Sequence, residues 1–172
     1  DEQEEAGGQI YRAIGRAPLA DEGVLGADYY QGRMLLDAMQ AAAIDYLPGT
    51  TVWGVDEDLT LNVSRRGRSQ QVHARRLLVA TGAQERPVPF PGWTLPGVMT
   101  CGAAQVLLKS SALVPPTPLV LAGSGPLLLL VASQLTRAGV PIEAVLDTTP
   151  RDNYRRAVRH SVGALRNPKL LF

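Results

Sequence analysis

The chain is short of the residues on which most catalytic and metal sites are built. It has one cysteine and two histidines in 172 residues. A single cysteine excludes an internal disulfide, a CxxC redox pair and a cysteine zinc cluster within the chain. That cysteine, Cys101, stands among Gly102, Ala103 and Ala104 and reads as an inert, buried thiol at a helix start. The histidines, His73 and His160, fall on a hairpin and a basic helix. No Ser, His and Asp set has motif spacing, so nucleophilic hydrolysis has no support. Carboxylates are scattered, and no metal site is expected. Charge of one sign is missing too: 17 Lys and Arg stand against 16 Asp and Glu, a net +1. Nothing in that balance draws the chain to nucleic acid or a membrane. The apolar run Leu127 to Ala132 is far too short to cross a bilayer, and no secretory signal is expected. A cytoplasmic chain without a membrane span is expected.

What is there is a globular composition, 45% hydrophobic, enough for one domain or two small ones. The most informative stretch reads PLVLAGSGPLLLLVASQLTRAGVPIEAVLD. A short apolar strand, Leu119 to Leu121, runs into Gly123-Ser124-Gly125-Pro126. A helix follows to about Ala138, and Gly139 stops it. A second strand, Glu143 to Leu146, ends on Asp147. Strand, glycine turn, helix, strand and carboxylate is the order of a dinucleotide-binding βαβ unit. Gly123 permits the tight turn, and Gly125 lets backbone approach a pyrophosphate. The helix start at Pro126 offers its dipole and free N–H groups to the phosphate. Pro126 is tolerable there, because the first turn of a helix does not need its N–H. Asp147, about 20 residues on, is placed to bond the ribose hydroxyls, which favours NAD over NADP. The third glycine position holds Leu128, which is expected to hold the helix off the strand or tilt it. A βαβ unit that keeps the turn but binds no nucleotide is therefore the alternative.

Before that unit the pattern is mixed. Asp28 to Ala43 predicts a helix with Leu35, Ala38, Met39, Ala42 and Ala43 on its apolar face. Thr51 to Val55, then Leu59, Leu61 and Val63, then Gln70 to Ala74 predict a small antiparallel meander turning at Arg66-Gly67. Its arginines (Arg65, Arg66, Arg68, Arg75 and Arg76) read as a solvated face. A buried strand is expected over Leu77 to Ala80. Trp93 to Thr100 forms a bridge with a turn at Pro96-Gly97, Gly102 to Lys109 a short helix, and Val114 to Pro118 a linker. Thr149-Pro150 turns the chain into a last helix. Asp152 is its expected N-cap, and Tyr154, Val158, Val162 and Leu165 are its apolar stripe. Arg151, Arg155, Arg156 and Arg159 read as its solvated face.

Two further segments carry a resemblance. Arg76 to Gly92 reads RLLVATGAQERPVPFPG, and its Ala80-Thr81-Gly82 resembles the ATG strand end that passes FAD in flavoproteins with two dinucleotide-binding domains. Asp1 to Arg12 reads DEQEEAGGQIYR. It resembles the segment in which an acid, here Asp1 or Glu2, meets the adenosine ribose and a GGQ run, here Gly7, Gly8 and Gln9, lies along the cofactor. The alternatives are a Pro-rich linker and a frayed acidic terminus. Together the segments resemble the larger flavoprotein subunit of bacterial amine and opine oxidoreductases, most strongly over VATGAQERPVPFPGWTLPGVMTCGAAQVLLKS. The single cysteine separates the chain from the disulfide reductases of the same broad fold.

The resemblance implies a partial Rossmann-like α/β fold that binds FAD and NAD(P), with a parallel sheet and a small antiparallel meander. It implies a partial FAD-binding domain over 1–98 and a partial NAD(P)-binding domain over 99–172. The family places an FAD glycine turn ahead of the GGQ run, so the chain is expected to be an internal piece of a longer protein. That protein would oxidise a small amine or amino acid with FAD, alongside other oxidoreductase subunits, with NAD as a second candidate cofactor. No residue of the chain stands out as catalytic. The competing reading is a scaffold subunit with no cofactor in its second half.

Overall fold

A computed structural model describes residues 1–16 and 23–157. The chain divides into two compact units, Asp1–Val114 and Pro115–Phe172.

In the first unit, α1 (Ala27–Tyr30) and α2 (Gly32–Ala41) flank Gln31. The expected helix is present, but a different face packs. Leu35 is exposed and Ala38 with it, whereas Gly32 is buried and Leu36 and Met39 are half-buried. The reason is local: the Tyr11 ring occupies the place a Cβ on Gly32 would need. The smallest side chain, not the most apolar, decides which face meets the loop.

The meander forms as expected. β1 (Thr50–Val55), β2 (Thr60–Arg65) and β3 (Arg68–His73) pair antiparallel in that order. Both turn residues between β2 and β3 have positive φ, Arg66 at 50° and Gly67 at 74°, as a two-residue type I′ hairpin requires. Arg66, Arg68, Arg75 and Arg76 are exposed, and Arg65 donates from Nε to the Pro48 carbonyl at 3.2 Å.

The strand expected over Leu77 to Ala80 does not form. The segment carries no ladder, and Leu78 and Val79 are 86% and 73% exposed. An apolar run becomes a buried strand only beside partner strands, and none among the described residues pairs with it. At Leu95-Pro96-Gly97-Val98 the Val98 N–H donates to the Leu95 carbonyl at 3.1 Å, with Gly97 at φ 91°. Pro and Gly thus take the two central places of a type II turn. Then comes α3 (Cys101–Ser111), whose N-cap Thr100 accepts from the Ala103 N–H at 3.3 Å.

In the second unit, β4 (Leu119–Gly123), α4 (Pro126–Arg137) and β5 (Ile142–Asp147) form the expected βαβ order, with β4 and β5 parallel. α4 turns Leu128, Val131 and Leu135 inward, an i, i+3, i+7 stripe. Residues 151–157 are helical. That start puts Asp152 inside the first turn, not at the cap, where its carboxylate still faces the positive end of the helix dipole. Of the apolar stripe expected there, Tyr154 is 52% exposed. Val158, Arg159, His160, Val162 and Leu165 lie outside the described residues. The whole is a mixed α/β structure.

Candidate functional site

In the second unit the glycine turn and the acid meet at one end of the sheet. Gly123 and Asp147 are register partners at the C-terminal ends of β4 and β5. The Thr148 N–H and hydroxyl both donate to the Gly123 carbonyl, at 2.8 and 3.0 Å, and lock the two ends together. Gly125, at φ 86°, opens α4, and no side chain caps that helix start. Its first N–H groups are therefore open to an anion.

Leu128 is 3% exposed. Its Cδ1 lies 3.8 Å from where a Cβ on Gly123 would sit, an ordinary contact. The strand-side glycine makes the room that the helix-side position does not.

The Asp147 carboxylate is already engaged by its own chain. Oδ1 accepts from the Thr149 N–H at 2.8 Å, and Oδ2 accepts from the Tyr154 phenol. The bonds from Thr149 and Tyr154 hold the carboxyl below its ordinary range. The same bond to Asp147 raises the Tyr154 phenol. Tyr154 is legible in sequence only as an apolar residue of the last helix; nothing there pairs it with the acid.

In the first unit the GGQ run lies in a turn-rich loop. Three residues of that loop have positive φ: Gly7 at 127°, Gly8 at 56° and Ala13 at 61°. The Tyr11 N–H closes onto the Gly7 carbonyl at 2.9 Å, and a Cβ on Gly7 would strike the Tyr11 carbonyl. Gly8 has open space on its Cβ side and borders a cleft of about 150 Å³ with Gln3, Glu5, Arg12 and Arg16. The cleft is lined by opposite charges, including the Arg16–Glu5 ion pair at 3.1 Å. Asp1 is tied down rather than frayed: its carbonyl accepts from the Thr50 N–H at 2.8 Å, and its Oδ1 from the Gln3 N–H at 2.9 Å. Glu2 is exposed. Thr81 and Gly82 lie in an exposed segment outside any helix or strand, with Gly82 at φ 74° and open space beside it.

Both stretches are tied to α3, one near each end. Glu85 Oε2 accepts from the Gly102 N–H at 2.7 Å, where a carboxylate suits the helix dipole. Lys109 Nζ donates to the Gln9 and Ile10 carbonyls at 3.1 and 2.9 Å, and lies 5.6 Å from the Tyr29 ring centroid. Lys109 is 5% exposed. Burial, and then the nearby Arg12 charge, depress its ammonium to about 8. Cys101 is half-buried at the start of α3, and burial followed by Glu85 raises its thiol, in keeping with an inert residue. Among the described residues no group of His, Cys, Asp and Glu could hold a metal ion, and no helix is long and apolar enough to cross a membrane.

No protein-family model matches the chain. Curated relatives do. The chain is 45% identical over 99% of its length to an opine oxidase subunit of Rhizobium meliloti, of which it covers 34%. It is 40% identical over 99% of its length to the HcnB subunit of hydrogen cyanide synthase from Pseudomonas aeruginosa, of which it covers 36%. Over 55% of its length it is 34% identical to the alpha subunit of sarcosine oxidase from Rhizobium meliloti, of which it covers 10%. Among solved structures, L-proline dehydrogenase from P. horikoshii superposes with a TM-score of 0.65 at 20% identity, over 84% of this chain and 29% of that one. That likeness carries the fold. The chain spans about a third of the length of the first two relatives. It is thus a homologue of one stretch of these larger subunits, as the sequence motifs imply.

Proposed function

We propose that the chain is part of an FAD-dependent oxidoreductase subunit that oxidises a small amine or amino acid. The observation that carries this reading is the 45% identity to the opine oxidase subunit over 99% of the chain. FAD would accept a hydride from the substrate and release the electrons to an acceptor held by a partner subunit. The chain's own part is to bind and orient. Gly7, Gly8 and Gln9, with Asp1 or Glu2 as ribose acid, and Thr81 and Gly82 are the residues assigned to FAD. The open Cβ side of Gly8 and Gly82 suits backbone that passes close to a ligand. In the second unit, Gly123, Gly125, Pro126 and Asp147 are assigned to a nucleotide, NAD before NADP. Asp147 accepts bonds from a free 2′-hydroxyl and repels a 2′-phosphate; Arg151, close in sequence, is the residue that would reverse this.

The test is the full-length subunit, purified with its partner subunits. Flavin absorbance at one equivalent, bleached on adding an opine, sarcosine or proline, is expected. A colourless, inactive complex would overturn the reading. A second reading, a scaffold without nucleotide in the second unit, is favoured by two contacts. Leu128 packs against Gly123, and both Asp147 oxygens already accept bonds within the chain. Calorimetry with NAD(H) and NADP(H) on wild type and Asp147→Ala decides: no heat with either cofactor selects the scaffold.

A further inference from the structure

We infer that Lys109 is the positioning residue of the Gly7-Gly8-Gln9 run, holding that loop to α3 through two consecutive carbonyls. This rests on the reading of that run as a cofactor contact. The loop's own backbone bonds, from the Tyr11, Ile14 and Arg16 N–H groups, reach only the Gly7, Tyr11 and Ala13 carbonyls. Its backbone has three left-handed positions, one at Ala13, where an L side chain is disfavoured. It forms turns rather than a helix or strand, so the carbonyls between those bonds need partners from elsewhere. Three of them are taken by side chains from elsewhere: Gln9 and Ile10 by Lys109 Nζ, and Arg12 by the Tyr29 hydroxyl at 2.6 Å. Tyr29 also places its ring 5.6 Å from the same ammonium, so α1 and α3 grip the loop jointly.

A lysine almost withdrawn from water, whose ammonium bonds carbonyls rather than a carboxylate, is a costly choice for packing alone. Methionine would fill the same volume without that cost. What the ammonium adds is direction. Its N–H groups fix where the Gln9 and Ile10 carbonyls point, and hence the peptide planes that follow Gly8. Charge-assisted bonds are about twice as strong as neutral ones, so losing the proton loosens the hold. The charged and titratable groups facing Nζ are Arg12 and Tyr29.

Two measurements test this. In the first, backbone amide resonances of Gly8, Gln9, Ile10 and Tyr11 are followed by NMR from neutral to alkaline pH, without cofactor. They are expected to shift together with a midpoint near 8 in the wild type, and to stay flat in Lys109→Met. Flat wild-type resonances, or a transition that persists with the same midpoint in Lys109→Met, would overturn the assignment; the wild-type arm stands even where the variant does not fold. In the second, FAD affinity of the full-length subunit is measured across the same range. A rise of about tenfold in Kd through the same midpoint is expected, absent in Lys109→Met, whose Kd is high throughout. An amide transition without any FAD binding by the wild type would fault the cofactor reading and leave the positioning role intact. FAD binding of equal strength in wild type and Lys109→Met would refute the positioning role.

Discussion

A buried lysine in this fold has a thermodynamic signature of its own. Burial brings the Lys109 ammonium down to about 8 from an ordinary value of 10.5. Below about 8 both the folded and the unfolded chain hold the proton, and the group adds no pH slope. Between about 8 and 10.5 the unfolded chain holds it and the folded chain does not, so stability rises with pH in that window. Denaturant midpoints measured across the window should climb in the wild type. Lys109→Met removes the climb. Gly32, against the Tyr11 ring, gives a second prediction. Gly32→Ala gains about 1 kcal/mol of helix propensity. It also drives a methyl into the Tyr11 ring, and overpacking costs about 1–3 kcal/mol. A net loss is expected, recovered in the double variant with Tyr11→Ala. An additive double-mutant cycle would contradict it. Neither residue announces itself in sequence. The partners of Lys109 lie about a hundred positions away, and local patterning carries no information over that distance.

Elements built from adjacent residues are legible in the sequence, and those that depend on distant partners are not. β4, α4 and β5 follow from Gly123, Gly125 and Gly139, each of which punctuates the chain where it stands. The hairpin follows from Arg66-Gly67 in the same way. Leu77 to Ala80 has the composition of a buried strand and lies exposed, because pairing, not composition, makes a strand. Periodicity misplaces the α2 face because it counts apolar side chains and overlooks a glycine beneath a ring. At the glycine turn, the pattern predicts that Leu128 holds helix and strand apart. Gly123 accommodates it instead, so Leu128 is a core residue of the second unit. Leu128→Ala should cost about 2–5 kcal/mol in urea unfolding, the range for a buried leucine. A loss under about 1 kcal/mol would mean that the helix does not rest on this contact. At the hairpin, Arg66 holds a φ of 50° that asparagine tolerates better. Arg66→Asn should raise stability by a few tenths of a kcal/mol, read as a higher urea midpoint. A lower midpoint would show that the arginine contributes more than its backbone costs.

At the scale of the molecule, the amount of apolar surface left outside sets the behaviour of the chain on its own. Leu78, Val79 and Trp53 in the first unit are 86%, 73% and 62% exposed, and Leu129 in the second is 63% exposed. Scattered apolar residues are ordinary on a protein surface; a contiguous stretch such as Leu77 to Ala80 is not. That stretch has its backbone groups outside any helix or ladder. It can therefore pair edge to edge as well as bury side chains. The net charge of +1 supplies little repulsion to oppose this. The 172-residue chain should self-associate. Sedimentation velocity over a hundredfold range of concentration should show the mean sedimentation coefficient rising with concentration. Ammonium sulfate should strengthen the effect, because excluded salts favour apolar burial. Were charge pairing the cause, added sodium chloride would weaken it. Replacing Leu78 and Val79 together by serine should move the onset to higher concentration. The folded core should be untouched, because neither side chain belongs to it. A monomer at every concentration would show that these residues are covered within the chain itself. Association unchanged by the double substitution would move the contact to the exposed leucines of α4.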